Sequence, residues 1–79
     1  MKFPLYRRYR NGKNYFKIIN PQLFEEVQLI GTKRIVKQTE VKLLPERNFI
    51  HDLVFNFSHM AEEIGESDYE SAKRGPGSD

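Results

Sequence analysis

The dipeptide Asn11-Gly12 constrains this chain more than any other feature. It lies between residues 5–10 and 14–19, two segments rich in tyrosine, phenylalanine, isoleucine and arginine. Asn-Gly in such a setting is the strongest short-range signal for a β-hairpin, because a type I′ turn needs φ > 0 at both central residues. With these two residues as the loop, Leu5 pairs with Ile18 and Arg7 with Phe16 on one side of the ribbon. Tyr6 then pairs with Lys17, Arg8 with Tyr15 and Arg10 with Lys13 on the other. Asn20-Pro21 ends the hairpin, since proline cannot donate to a strand ladder.

Residues 23–30 admit two readings. Asn20 as N-cap, Pro21 in the first turn and apolar Leu23, Phe24, Val27 and Ile30 suit a short helix ending at Gly31. Alternatively Leu23, Val27 and Leu29 lie on one strand face, and Gly31 turns into residues 34–43. The β-branched content of that run (Ile35, Val36, Thr39, Val41) favours a second hairpin. Pro45 then opens a helix predicted over 45–64. Phe49, Ile50, Leu53, Val54, Phe57, Met60, Ala61 and Ile64 fall within an arc of about 140°, a broad core-facing stripe with Phe57 near its centre. Glu46 suits the positive end of the helix dipole, and Gly65 is a natural stop.

Four strands followed by a helix predict an α+β domain over 1–64. A small antiparallel sheet of about four strands, made of two hairpins, is covered on one face by the C-terminal helix. Residues 65–79 are polar, with Gly-Pro-Gly near the end, and read as a mobile tail in which Ser67 and Glu70 form at most one capped helical turn. The chain has 79 residues and no cysteine, so no disulfide or thiolate metal site staples a core that buries only about 60% of the unfolded surface. No apolar run exceeds four residues, which argues against a transmembrane helix or a signal-peptide core and for a cytoplasmic module.

Charge is divided along the chain. Residues 1–45 hold ten Lys and Arg against Glu25, Glu26 and Glu40, a local net of +7. Residues 46–79 hold three cations against eight carboxylates, a local net of −5. Such division suits either a polyanionic partner or attraction between the two parts, within one chain or between two. On the hairpin, Tyr6, Arg8, Arg10, Lys13, Tyr15 and Lys17 interleave cations with aromatic rings. Single-stranded nucleic acid needs both, one to neutralise phosphates and the other to stack bases. Arginine and lysine stems lying over tyrosines on a solvated sheet give the same pattern without any ligand. Nucleic-acid binding is therefore the alternative reading rather than the first.

The helix carries both histidines, and no catalytic constellation accompanies them. His51 and His59 are about 80° apart around the axis and roughly 12 Å along it, too far for one metal. Glu25 and Glu26 are adjacent strand residues that point to opposite faces, and pairing with a Lys37-bearing strand explains them. These features predict a non-catalytic interaction module without metal or cofactor. Phe55 lies opposite the apolar stripe, one turn from each histidine, and is either a lone exposed aromatic or a contact covered by a second copy or another protein partner. Because so small a core has no disulfide or metal to staple it, a homodimer is expected, with Phe55, His51 and His59 at or near the interface, weakened between about pH 7 and pH 5 if histidines from both chains meet. Glu62 and Glu63 fall in the last predicted helical turn, where the dipole favours cations, so sheet or partner cations are expected beside them.

Three segments carry a resemblance: Tyr15-Phe16-Lys17-Ile18, Phe24-Glu25-Glu26-Val27-Gln28-Leu29-Ile30-Gly31 and Leu44-Pro45-Glu46-Arg47-Asn48-Phe49-Ile50-His51-Asp52-Leu53. Over residues 15–53 the chain resembles short, uncharacterised bacterial proteins. The resemblance implies a bacterial origin and carries over no activity, ligand or site residue.

Overall fold

The computed structural model describes residues 2–75. Its first four elements are strands: β1 (Leu5–Tyr9), β2 (Asn14–Asn20), β3 (Leu23–Ile30) and β4 (Lys33–Glu40). Helix α1 (Leu44–Phe55), strand β5 (Ala61–Glu63) and helix α2 (Glu66–Arg74) follow. The sheet has five antiparallel strands in the order β4-β3-β2-β1-β5. The α+β class and antiparallel sheet agree with expectation; the fifth strand and second helix do not.

The first hairpin has the expected register, with Leu5 on Ile18, Tyr6 on Lys17, Arg7 on Phe16 and Arg8 on Tyr15. Its turn is different. Gly12 has φ +73° whereas Asn11 stays at negative φ, so the turn is not type I′. The Gly12 N–H donates to the Tyr9 carbonyl at 2.9 Å, and Asn11 Oδ1 accepts the Lys13 N–H at 2.8 Å. The connection therefore covers residues 10–13, and Arg10 does not face Lys13. The Arg10 N–H donates instead to the Met60 carbonyl at 3.1 Å, drawn there by β5.

Residues 23–30 form a strand, which settles the second hairpin. Leu23 pairs with Glu40 and Ile30 with Lys33, without a register shift between them. The loop is Gly31-Thr32, and Gly31 takes φ +61° at its first position, as a type II′ turn requires. Glu26 lies opposite Lys37, as expected.

Pairing and alternation assign the side chains to two faces. Phe16, Ile18 and Phe24 share one face, where they form a buried cluster with Val41 and with Ile50, Leu53 and Val54 of α1. The Phe49 ring sits 5.9 Å from Phe16 and 5.6 Å from Phe24. Tyr6, Tyr15, Lys17, Glu25 and Val27 share the other face, and contacts from α2 reach it.

Helix α1 is shorter than the predicted 45–64. Glu46 Oε1 accepts the Lys42 and Leu43 N–H groups at 2.9 and 3.0 Å, tying off its start. The helix closes with the Asn56 N–H on the Asp52 carbonyl, and a turn at Phe57 follows. Phe57 is thus outside the helix and only half-buried, not the centre of a helical stripe. The reason is tertiary: β1 has an open edge, and residues 61–63 pair with it. Residues 65–74, expected as mobile tail, hold α2, whose Tyr69 is completely buried. The last part of the expected tail, residues 76–79, lies outside the described residues.

Candidate interaction surfaces

Register brings Tyr6, Arg8, Tyr15 and Lys17 to one face as the sequence predicts. Helix α2 engages that same face. Tyr69 stands with its ring 5.5 Å from Tyr6 and donates its hydroxyl to Glu25 Oε1 at 2.6 Å. Lys73 Nζ lies 3.0 Å from the same oxygen, and Gln38 Nε2 donates to Glu25 Oε2 at 3.4 Å. Burial pushes the Glu25 carboxyl up, but the hydrogen bonds from Tyr69, Lys73 and Gln38 outweigh it and hold the group below its ordinary range. Burial, then the Glu25 carboxylate, drives the Tyr69 hydroxyl strongly upward, so it remains a neutral donor.

The cations of the hairpin also find internal partners. Arg8 bonds Glu62, and Arg10 donates to the Ser58 carbonyl at 3.2 and 2.7 Å with Glu62 3.9 Å away. Glu62 and Glu63 stand on β5 opposite Arg8 and Arg7, rather than in a helical turn. The cations expected beside them therefore come from the sheet of the same chain. Lys13 is exposed in the loop, and Lys17 faces Glu25 across the ladder. Arg34 donates to the Ala72 carbonyl of α2 at 2.6 Å. A cleft of about 450 Å³ remains between α2 and the hairpins, with Arg8, Tyr15, Arg34, Asp68 and Ser71 in its wall.

Arg7, on the opposite face, is a buried cation that sequence reasoning placed only by register. Its Nε donates to the Leu53 carbonyl at 2.9 Å and its Nη1 to the Tyr6 carbonyl at 3.0 Å. The guanidinium lies 4.0 Å from the Phe57 ring centroid, and Glu63 is 3.8 Å away. Burial lowers its pKa and Glu63 opposes that shift. Helix α1 has no basic residue in its last turn, and Arg7 supplies that charge from β1, where a helix C-terminus favours it.

Of the expected interface residues, the structure brings two together. The His51 and Phe55 rings are 4.9 Å apart on the outer side of α1, and Phe55 is 64% exposed. Beside them lies an apolar cleft of about 330 Å³ with Phe3, Pro21, Arg47, Ile50 and Val54 in its wall. His59 stands apart from them on another element, in the turn after the helix. A further open surface was not singled out from sequence: edge strand β4, with Ile35 and Val36 48% and 45% exposed. The signal was present in the β-branched pair Ile35-Val36, but only the strand order places that pair on the outermost strand among the described residues.

Among the described residues, no group of three or more His, Cys, Asp or Glu is placed to hold a metal ion. Nor does any buried side-chain nitrogen or oxygen there lack a hydrogen-bond partner. No helix among these residues is long and apolar enough to cross a membrane. Comparison of the chain with protein-family models, curated proteins and solved structures gives no match.

Proposed function

We propose that this chain is a small, non-catalytic protein-interaction module that self-associates, without metal or cofactor. The observation that carries it is where the open surface lies. Arg8 and Arg10 of the first hairpin are engaged by Glu62 and the Ser58 carbonyl, and Arg34 of β4 by the Ala72 carbonyl of α2, whereas Leu43, Leu44 and Phe55 of the α1 segment and Ile35 and Val36 of β4 stay exposed. Scattered apolar residues need no explanation, but two open apolar features on so small a protein suit association. A homodimer is the commonest closed arrangement. The cysteine-free sequence accords with a cytoplasmic setting. Light scattering over a concentration series tests the proposal. A mass rising to twice 9.4 kDa supports self-association, and 9.4 kDa throughout removes it.

A second reading, single-stranded nucleic-acid binding, is favoured by the cleft that places Tyr15 beside Arg8 and Arg34. It predicts oligonucleotide binding that weakens steeply with salt and falls in Arg8 and Tyr15 variants. Absence of binding at low salt eliminates it.

A further inference from the structure

We infer that two copies join through their β4 strands, Val36 against Val36, to give one continuous ten-stranded antiparallel sheet. The inference rests on the proposed self-association and names the surface responsible. It assigns that role to the sheet edge and leaves the Phe55–His51 cleft outside the dimer contact.

The backbone parity of β4 is fixed by its hairpin. A two-residue Gly31-Thr32 loop makes Ile30–Lys33 a hydrogen-bonded pair. Lys33, Ile35, Lys37 and Thr39 therefore direct their N–H and C=O groups at β3. The Val41 N–H, of the same parity, donates inward to the Gln22 carbonyl at 2.7 Å. Arg34, Val36, Gln38 and Glu40 direct theirs outward, away from the sheet.

Edge strands ordinarily avoid pairing by being short, by carrying proline or a bulge, or by being covered. Strand β5 follows that pattern, with three residues. Strand β4 has eight residues, an uninterrupted register and no proline. Its remaining defence is charge. Arg34 is turned to the Ala72 carbonyl of α2, which leaves Lys33 and Lys37 as the cations on the α1 face.

Those lysines select a register rather than block pairing. Two copies related by a two-fold axis normal to the sheet can align only so that a residue meets its own counterpart on the axis. Centring on Lys37 sets Lys37 against Lys37, and centring on Ile35 sets Lys33 against Lys37; like charges directly opposite are destabilising. Centring on Gln38 also avoids like charges but overlaps only residues 36–40 of β4, whereas centring on Val36 overlaps residues 33–39 of both copies with no like charges opposed. Val36 then meets Val36, Arg34 meets Gln38, and Ile35 lies under the stem of Lys37. Glu40, paired with Lys42 of its own chain at 3.1 Å, falls diagonally from Arg34 of the second copy, so this register opposes no like charges there either. The outward N–H and C=O groups of Arg34, Val36 and Gln38 all gain partners. The occupant that matches this edge in both backbone parity and charge is a second copy of the chain.

The absence of cysteine makes a clean ruler possible. Single variants Val36→Cys, Gln38→Cys and Phe55→Cys are treated with oxidised glutathione and separated without reductant. Facing residues at the axis lie within disulfide reach, whereas positions beyond about 7 Å do not. Val36→Cys should be captured as a covalent dimer, and the other two should stay monomeric. Separately, Val36→Pro removes an outward donor without touching the inner ladder, and should abolish the dimer while keeping the folded circular dichroism spectrum. A wild-type dimer that Phe55→Cys captures and Val36→Cys does not overturns the inference but leaves self-association standing. A monomer at every concentration removes both.

Discussion

Arg7 shows how one side chain joins two elements that the sequence does not connect. It is 4% exposed, yet its charge is matched by the Leu53 and Tyr6 carbonyls, by Glu63 and by the Phe57 ring. Arg7→Met fills similar space but leaves buried carbonyls without donors, and should cost about 2–4 kcal/mol in urea denaturation. Arg7→Lys should recover little, because an ammonium cannot reproduce the planar fork. Glu25 plays the matching part on the other face. Since its folded value lies below the ordinary 4.5, the unfolded chain binds the proton more readily. The stability it adds is complete above about pH 4.5 and is lost as pH falls through the folded value. Tyrosine emission, free of tryptophan background, should therefore report α2 leaving the sheet on acidification. Tyr69→Phe should cost about 1–2 kcal/mol at neutral pH and start that transition at higher pH.

At the scale of elements, what was legible was whatever local chemistry decides. Asn11-Gly12, Asn20-Pro21 and Gly31 delimit two hairpins, and alternation assigns Phe16 and Ile18 to the core. Helix α1 begins as its sequence indicates, with Glu46 on the Lys42 and Leu43 N–H groups. It ends early because residues 61–63 continue a helical pattern but gain more as the partner of β1. Nothing local distinguishes Ala61-Glu62-Glu63 from helix; Arg7 and Arg8 across the ladder do. Helix α2 was missed for a related reason. Tyr69 is its one buried residue, and that burial depends on Glu25, forty-four positions away. The expected interface lost His59 through the same early helix end. The early end of α1 reverses the ranking that a single long helix implies. Leu53→Ala, wholly buried, should cost about 2–5 kcal/mol, and half-buried Phe57→Ala about 1–3 kcal/mol. Equal losses in thermal melts would speak for the long helix.

Across the whole molecule, the opposed charges of the two chain segments meet inside one chain. Arg7, Arg8 and Arg10 of the basic part face Glu62 and Glu63 of the acidic part, and acidic Glu25 receives Lys73 in return. The two charged segments thus answer each other within one chain, while Ile35, Val36 and Phe55 stay exposed. The sheet ends in three-residue β5 on one side and in eight-residue β4 on the other. Backbone amide exchange in a dilution series tests the central claim, self-association through β4, most directly. The inward Ile35 N–H should exchange slowly at every concentration. The outward Val36 and Gln38 N–H groups should exchange fast when dilute and become protected as concentration rises. Fast exchange of both outward amides at high protein concentration would contradict the claim.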